Sequence, residues 1–348
     1  MFSLVKIGKK FTALPLFFQV FAAACCLMLV IAVYSFLILS FREARVFLYN
    51  GLTGFLVFTL INLATSNRNL KESGLTQLIS LILLFMFLPL FLAFPSWIIL
   101  PGSSFLDSYL DMVGAFTTTG LPVFENDLLT RPVGLWRALI GWFGGGLIWI
   151  AAFVILMPAS RGGFDVFSNR NINSNLKRKL TLNERSMTLT KISRKLIPIY
   201  IGLTFILWCA LTSLGTDSYT GLIRALSIMS TSGISGPEKF GSYDAGFLGE
   251  FVMAIFLLLA LSHNTFYSLS KKFSLKKLKF DKEIRLGVLS VIFITIVLSL
   301  KDLSLFSSDL KFNEYFLSEL RLVWGNFFTS LSFITTNGYT SSFWVGPS

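Results

Sequence analysis

Histidine is nearly missing from this chain. His263 is the single example in 348 residues, so zinc sites and Ser-His-Asp triads have almost no material to draw on. A structural role inside a helix or at its end is expected for it. Cysteine is also scarce. Cys25, Cys26 and Cys209 all lie inside apolar runs, where they behave as small hydrophobic residues and predict neither a disulfide nor a metal site. Charged residues are only 14% of the chain against 54% hydrophobic ones, and the mean hydropathy is +0.71. That is too little polar surface to clothe a soluble globule, so the chain belongs in a bilayer. No acid, base, nucleophile or metal cluster converges on any apolar run, and the sequence reads as a non-enzyme that needs no bound cofactor.

Long apolar runs are abundant. Those at 13–40, 77–100, 136–157, 196–214, 246–269 and 285–300 approach or exceed the roughly 20 residues of a membrane span, and a weaker run at 47–64 makes seven. No early small-residue cleavage site follows the first run, which reads as a retained helix. The formal charge of +12 is not a nucleic-acid signature, because the basic residues cluster in alternate connections. Lys6, Lys9 and Lys10 precede the first run, Arg68 and Lys71 follow the second, and 161–195 and 271–285 hold the largest groups. The intervening connections carry Asp107, Asp111, Glu125 and Asp127, then Asp217, Glu238 and Asp244, then Asp302, Asp309, Glu314 and Glu319. Positive charge marks the inner side, which predicts a cytoplasmic N-terminus.

Each acidic connection hides a second apolar stretch too short to cross. SSFLDSYLDMVGAF from Ser103 runs into TTTGLP, TDSYTGLIRALSIM from Thr216 runs into STSGISGP, and SELRLVWGNFFTSLSFI from Ser318 runs into TTNGYTSS. Each reads as a re-entrant half-helix with a Ser, Thr or Asp cap at its start. The glycines Gly120, Gly233 and Gly338 stand 113 and 105 residues apart, in the same order of outward helix, half-helix, polar turn and inward helix. A single Thr-Thr-Thr-Gly would pass as a helix C-cap; three at equivalent positions form an internal repeat. The predicted fold is all-α integral membrane. It divides into a transmembrane hairpin at 1–76, pore repeat 1 at 77–158, a basic cytoplasmic loop at 159–195, pore repeat 2 at 196–270, a second basic loop at 271–284 and a partial pore repeat 3 at 285–348.

Irregular backbone at membrane depth is tolerated only where it lines water or ligand. A half-helix entering from outside points its partially negative C-terminus toward the membrane centre, which favours a cation there. Extended backbone beyond it can present carbonyl oxygens in place of an alkali ion's hydration shell. Glycine permits the required angles, and Thr and Ser hydroxyls can bond behind the strand.

These motifs resemble the Trk, Ktr and HKT superfamily of potassium transporters. The resemblance rests on TTTG at 117–120, LWRALIGWFGGGLIWIAAFVILMP from Leu135 to Pro158, KLIPIYIGLTFILWCALT from Lys195 to Thr212, and LSHNTFYSL from Leu261. It implies a potassium-channel-like, pseudo-fourfold pore in a bacterial inner (plasma) membrane protein. Its potassium-binding carbonyls would come from Thr118, Thr119 and Gly120; Thr231, Ser232 and Gly233; and Thr336, Asn337 and Gly338. Serine in place of the first filter glycine accompanies sodium transport in the superfamily, so Gly120 points to K+. Asn337 departs from the usual small hydroxyl residue, a change expected to matter little if only its backbone is used. The resemblance also implies a cytoplasmic nucleotide-binding regulatory subunit of the Trk or Ktr type, a homodimer, lipid contact and no nucleic acid. It further implies an inward helix, an interrupted gating segment and a fourth repeat beyond Ser348, so the sequence is expected to be part of a longer transporter. Sodium- or proton-coupled symport and a pore-incompetent truncated subunit are the alternatives.

The basic loop 159–195 serves positive-inside anchoring and anionic lipid contact, or partner docking. Arg137 and Arg224 are expected to snorkel to an interface. The glycines at 144–146 are expected to allow close helix packing, since no strand precedes them and no P-loop Lys follows.

Overall fold

The structure is a computed structural model, and it describes residues 16–65, 74–151, 182–237, 246–261, 282–303 and 312–344. Every regular element among the described residues is helical. His263, most of the two basic loops and most of the LSHNTFYSL stretch lie outside the described residues.

Two long apolar helices, α1 (Leu16–Leu37) and α2 (Phe41–Thr65), pack against each other. Their turn places Leu39 in the left-handed region at φ 62°, with its amide and that of Ser40 donating back to Phe36 and Ser35. The helices close on Gly51 and Gly54. A methyl group on Gly54 would stand 2.5 Å from Cys25 Sγ and 2.6 Å from Phe91, so Cys25 acts as a small packing residue, as its apolar setting predicts.

The next span is broken. Helix α3 (Gly74–Leu92) contains Pro89, and α4 (Phe94–Ile99) follows after Ala93 with Pro95 in its first turn. Proline cannot donate within a helix, which accounts for the interruption. A short helix α5 (Phe105–Phe116) then turns back. Its 12 residues reach only about 18 Å at 1.5 Å per residue, well short of a hydrocarbon core of about 30 Å. Helix α6 (Arg131–Ala151) completes the unit.

The second unit repeats the order with α7 (Leu182–Ser213), the 13-residue α8 (Ser218–Ser230) and α9 (Gly246–Ala260). The third has α10 (Lys282–Leu303) and α11 (Phe312–Ile334). Six helices are long and apolar enough to cross a membrane, and α9 is a shorter apolar helix. Together they match the seven predicted runs. Helix α7 begins inside the segment read as a basic loop.

The first two half-helices carry caps of the expected types: Ser104 caps α5 in a full capping box with Asp107, and Asp217 caps α8 by accepting from Tyr219 and Thr220. Ser318, expected at the start of the third, lies inside a helix. Helix α11 starts six residues earlier, because the stretch before Ser318 holds no Gly or Pro to stop it.

The Gly144 to Gly146 cluster sits where α6 crosses the ends of both half-helices. Gly144 faces the carbonyl of Phe116 at the end of α5, a methyl on Gly145 would lie 2.8 Å from Ser230 Cβ at the end of α8, and one on Gly146 would lie 3.1 Å from Tyr200 on α7. Close packing is therefore their structural role. One apolar cluster centres on Trp136, Phe47 and Phe116, the other on Leu207, Met253, Phe328 and Leu331. Trp136 is fully buried, and its Nε1 donates to Leu92 O where α3 breaks.

The expectation for Arg137 is corrected. It does not snorkel: its guanidinium lies 3.0 Å from Asp111 on α5, with side chains only 4% and 0% exposed. The charge is matched locally. Arg224 on α8 is half-buried and lies 4.2 Å from the centre of the Tyr339 ring, an interior contact in place of a surface one.

Candidate ion filter

After each half-helix the chain takes the same unusual path. Thr118, Thr231 and Thr336 have φ of 59°, 50° and 61°, and the glycines two residues on, Gly120, Gly233 and Gly338, have φ of 63°, 67° and 72°. Threonine is β-branched and disfavoured in this left-handed region, so three threonines held there mark a backbone fixed by its surroundings. The residue between each pair, Thr119, Ser232 or Asn337, is not left-handed. Handedness alternates along every strand.

The amides go backward. Thr118 N donates to Ala115 O, and Thr119 N and Gly120 N both donate to Gly114 O. Thr231 N donates to Ile228 O and Ser232 N to Ser227 O. Thr336 N donates to Phe333 O, while Asn337 N and Gly338 N share Ser332 O. A trans peptide unit sets its C=O opposite the N–H of the next residue. Because those amides are turned onto the half-helices, the carbonyls of Thr118, Thr119, Thr231, Thr336 and Asn337 point away from them.

Hydroxyls brace the back of each strand. Thr119 Oγ1 donates to Gly114 O at 3.1 Å and pairs with Thr117 Oγ1 at 2.8 Å. Ser230 Oγ donates to Ser232 Oγ at 3.0 Å, and Thr335 Oγ1 to Leu331 O at 2.8 Å.

The three strands stand side by side. A side chain on Gly120 would overlap the Ser232 carbonyl oxygen, and one on Gly233 would overlap that of Asn337, whereas the same position on Gly338 meets nothing within 4 Å. The nine residues predicted as filter members thus come together, and among the described residues no backbone stands against Gly338 as Ser232 and Asn337 stand against Gly120 and Gly233. Asn337 contributes more than its backbone. Its Oδ1 accepts from Gly233 N at 3.2 Å, and the residue is 2% exposed. Asn337→Ala is expected to strip that partner from a confined amide and lower stability by about 1–3 kcal/mol, read as a drop in the thermal unfolding midpoint in detergent. An unchanged midpoint would show that the bridge carries no weight.

Sequence reasoning missed Glu250, Tyr339 and the Asp111–Arg137 pair. Tyr339 follows the third glycine, and its hydroxyl donates to Ile234 O at 2.7 Å, the residue after the second glycine. Glu250 is fully buried. The available signal was an ionisable residue within an apolar stretch, GFLGEFVMAIFLLLA for Glu250.

No protein-family model matches the chain. Among curated proteins it is 25% identical over 244 residues to the Trk system potassium uptake protein TrkH of Escherichia coli (strain K12), covering 69% of this chain and 48% of that protein. It is 22% identical over 168 residues to TrkH of Vibrio parahaemolyticus serotype O3:K6, covering 48% of this chain and 34% of the other. The chain therefore spans about half the length of its E. coli relative. The crystal structure of the potassium transporter TrkH from Vibrio parahaemolyticus superposes with a TM-score of 0.69 at 18% identity, over 92% of this chain and 64% of that one. The chain is thus similar to TrkH in sequence across 69% of its length and shares that protein's fold across 92%.

Proposed function

We propose that this chain carries three of the filter strands of a potassium transporter, and that K+ crosses the membrane along the carbonyls of Thr118 to Gly120, Thr231 to Gly233 and Thr336 to Gly338. The observation that carries the reading is the threefold repetition of one backbone device: alternating handedness, amides turned onto the half-helix, and carbonyls turned away from it. An ion arriving there would exchange water oxygens for carbonyl oxygens, beside the partially negative ends of α5, α8 and α11. No covalent step is involved, so the reading is of a transporter and not an enzyme. Glycine at 120 favours K+ over Na+, and the name of the E. coli relative supports the same cargo. The division into hairpin, pore repeats and basic cytoplasmic loops, the bacterial plasma-membrane location with the N-terminus inside, a nucleotide-binding regulatory subunit on the basic loops and a homodimeric assembly belong to this proposal.

Rubidium uptake by the complete polypeptide, in cells stripped of their own potassium transporters, tests it. Uptake should appear on expression and be competed by K+ far better than by Na+. Equal competition by Na+ would remove potassium as the cargo. An absolute requirement for Na+ or a proton gradient in reconstituted vesicles would replace channel-like passage with coupled transport.

A further inference from the structure

Glu250 lies on α9 in a stretch that is otherwise wholly apolar, and its carboxylate is fully buried. Four donors converge on it. Trp324 Nε1 reaches Oε2 at 2.8 Å and Ser341 Oγ reaches the same oxygen at 2.7 Å, while Ser342 N and Ser342 Oγ reach Oε1 at 2.7 and 3.0 Å. All four are neutral groups. Both oxygens are thus occupied in the way an acceptor-only carboxylate requires, and hydrogen bonds to an ionised acceptor are stronger than neutral ones.

The donors lie on two sides of one strand. Trp324 is on α11, ahead of the third strand, and Ser341 and Ser342 follow it, so the carboxylate ties together both ends of the segment that carries Thr336, Asn337 and Gly338. The returning chain is also sewn to α11 by Ser341 N donating to Thr329 Oγ1 at 3.2 Å. It packs so tightly that a methyl on Gly325 would lie 2.6 Å from Phe343 O.

The preceding junction is closed around Tyr219, with the Arg131 guanidinium 5.5 Å from the centre of its ring. There α6 brings Gly134 against Tyr219 Oη and Pro237, where a methyl would stand 2.7 and 2.8 Å away, and Tyr219 donates to Arg131 O. Tyr219 and Trp324 hold the same repeat position, as do Pro237 and Ser342, by their distances from Gly233 and Gly338. A tyrosine and a proline thus hold the second joint where a tryptophan and a serine bonded to Glu250 hold the third, and among the described residues the carboxylate belongs to the third joint.

We propose that Glu250 is a positioning residue for the third filter strand: acting through Trp324, Ser341 and Ser342, it fixes the backbone of Thr336 to Gly338 and through it the discrimination between cations. The ion part of this inference rests on the transport reading above; the positioning part does not.

The test uses the complete polypeptide in lipid nanodiscs, as wild type, Glu250→Gln, and a Ser341→Ala, Ser342→Ala double variant that leaves the carboxylate in place should the glutamine variant fail to fold. Two quantities are measured: amide hydrogen exchange at 336–342 against 231–236, and protection from thermal unfolding by KCl against NaCl. Exchange at 336–342 should rise about tenfold in either variant with 231–236 unchanged, and the preference for K+ should narrow. Unchanged exchange at 336–342, or an equal rise at 231–236, overturns the positioning. Faster exchange confined to 336–342 with an undiminished K+ preference overturns the link to ion discrimination and leaves the transport reading standing. A wild-type protein protected equally by both salts overturns the transport reading, and hydrogen exchange still decides the positioning.

Discussion

Alanine at Gly120 or Gly233 is expected to destroy potassium selectivity and to destabilise the protein by several kcal/mol. Two costs combine. At φ of 63° and 67° a Cβ is strained by about 1–2 kcal/mol. The added carbon would also overlap the backbone oxygen of Ser232 or Asn337, which cannot rotate aside as a side-chain tip can. Either the neighbouring carbonyl moves or the strands part, and both rearrange the oxygens proposed to hold the ion. Serine at 120 carries the same Cβ and meets the same obstacle. Gly215→Ala is the control. That residue has φ of 97° with nothing within 4 Å of a methyl group, so only the backbone cost of about 1 kcal/mol applies. Rubidium uptake with and without excess Na+, together with the unfolding midpoint, separates the two cases. If Gly120→Ala behaves like Gly215→Ala, the side-by-side packing of the strands is wrong.

Removing one partner of the Asp111–Arg137 pair should be nearly as damaging. The groups are 3.0 Å apart and almost wholly enclosed. Asp111→Leu leaves a buried guanidinium and Arg137→Met a buried carboxylate, each expected to cost about 3–5 kcal/mol. Replacing both, Asp111→Leu with Arg137→Met, should recover most of that loss, because no uncompensated charge then remains inside. A double-mutant cycle on unfolding midpoints measures the coupling. Since the pair is shielded from water, the coupling should persist at high salt, where exposed pairs fade. Additive single and double effects would mean that the ion pair contributes nothing beyond side-chain volume. The pair also joins the half-helix α5 to α6, so the single variants should loosen the first strand, and their rubidium uptake should fall with their stability.

Much of the fold was legible in the sequence for simple reasons. A bilayer demands long apolar segments, so composition and run length located the helices. Two half-helices could be read because 12 or 13 apolar residues cannot span the hydrocarbon, whereas the third, also expected to be too short, is a helix of 23 residues that was legible only by its recurring Gly-containing end. Ser318 misled because a capping residue has the same chemistry mid-helix as at a helix start, and only neighbouring turns decide which it is. Arg137 misled because a long basic side chain near a helix end usually reaches water. Nothing in the local sequence reveals that Asp111, 26 residues earlier, lies across from it.

The sequence by itself determined an all-α membrane protein, the positions of three repeated polar turns, and the glycines in them able to take a left-handed bend. These follow from hydrophobicity, helix length and the freedom of glycine, which are properties of short segments. Tertiary structure alone decided that Gly120 lies against Ser232 and Gly233 against Asn337, that Asn337 and Tyr339 bridge the second and third strands, and that Glu250 holds the third strand from behind. Those contacts join residues about a hundred positions apart. They depend on how the half-helices are carried together by the helices around them, and no pattern within a single segment encodes that approach.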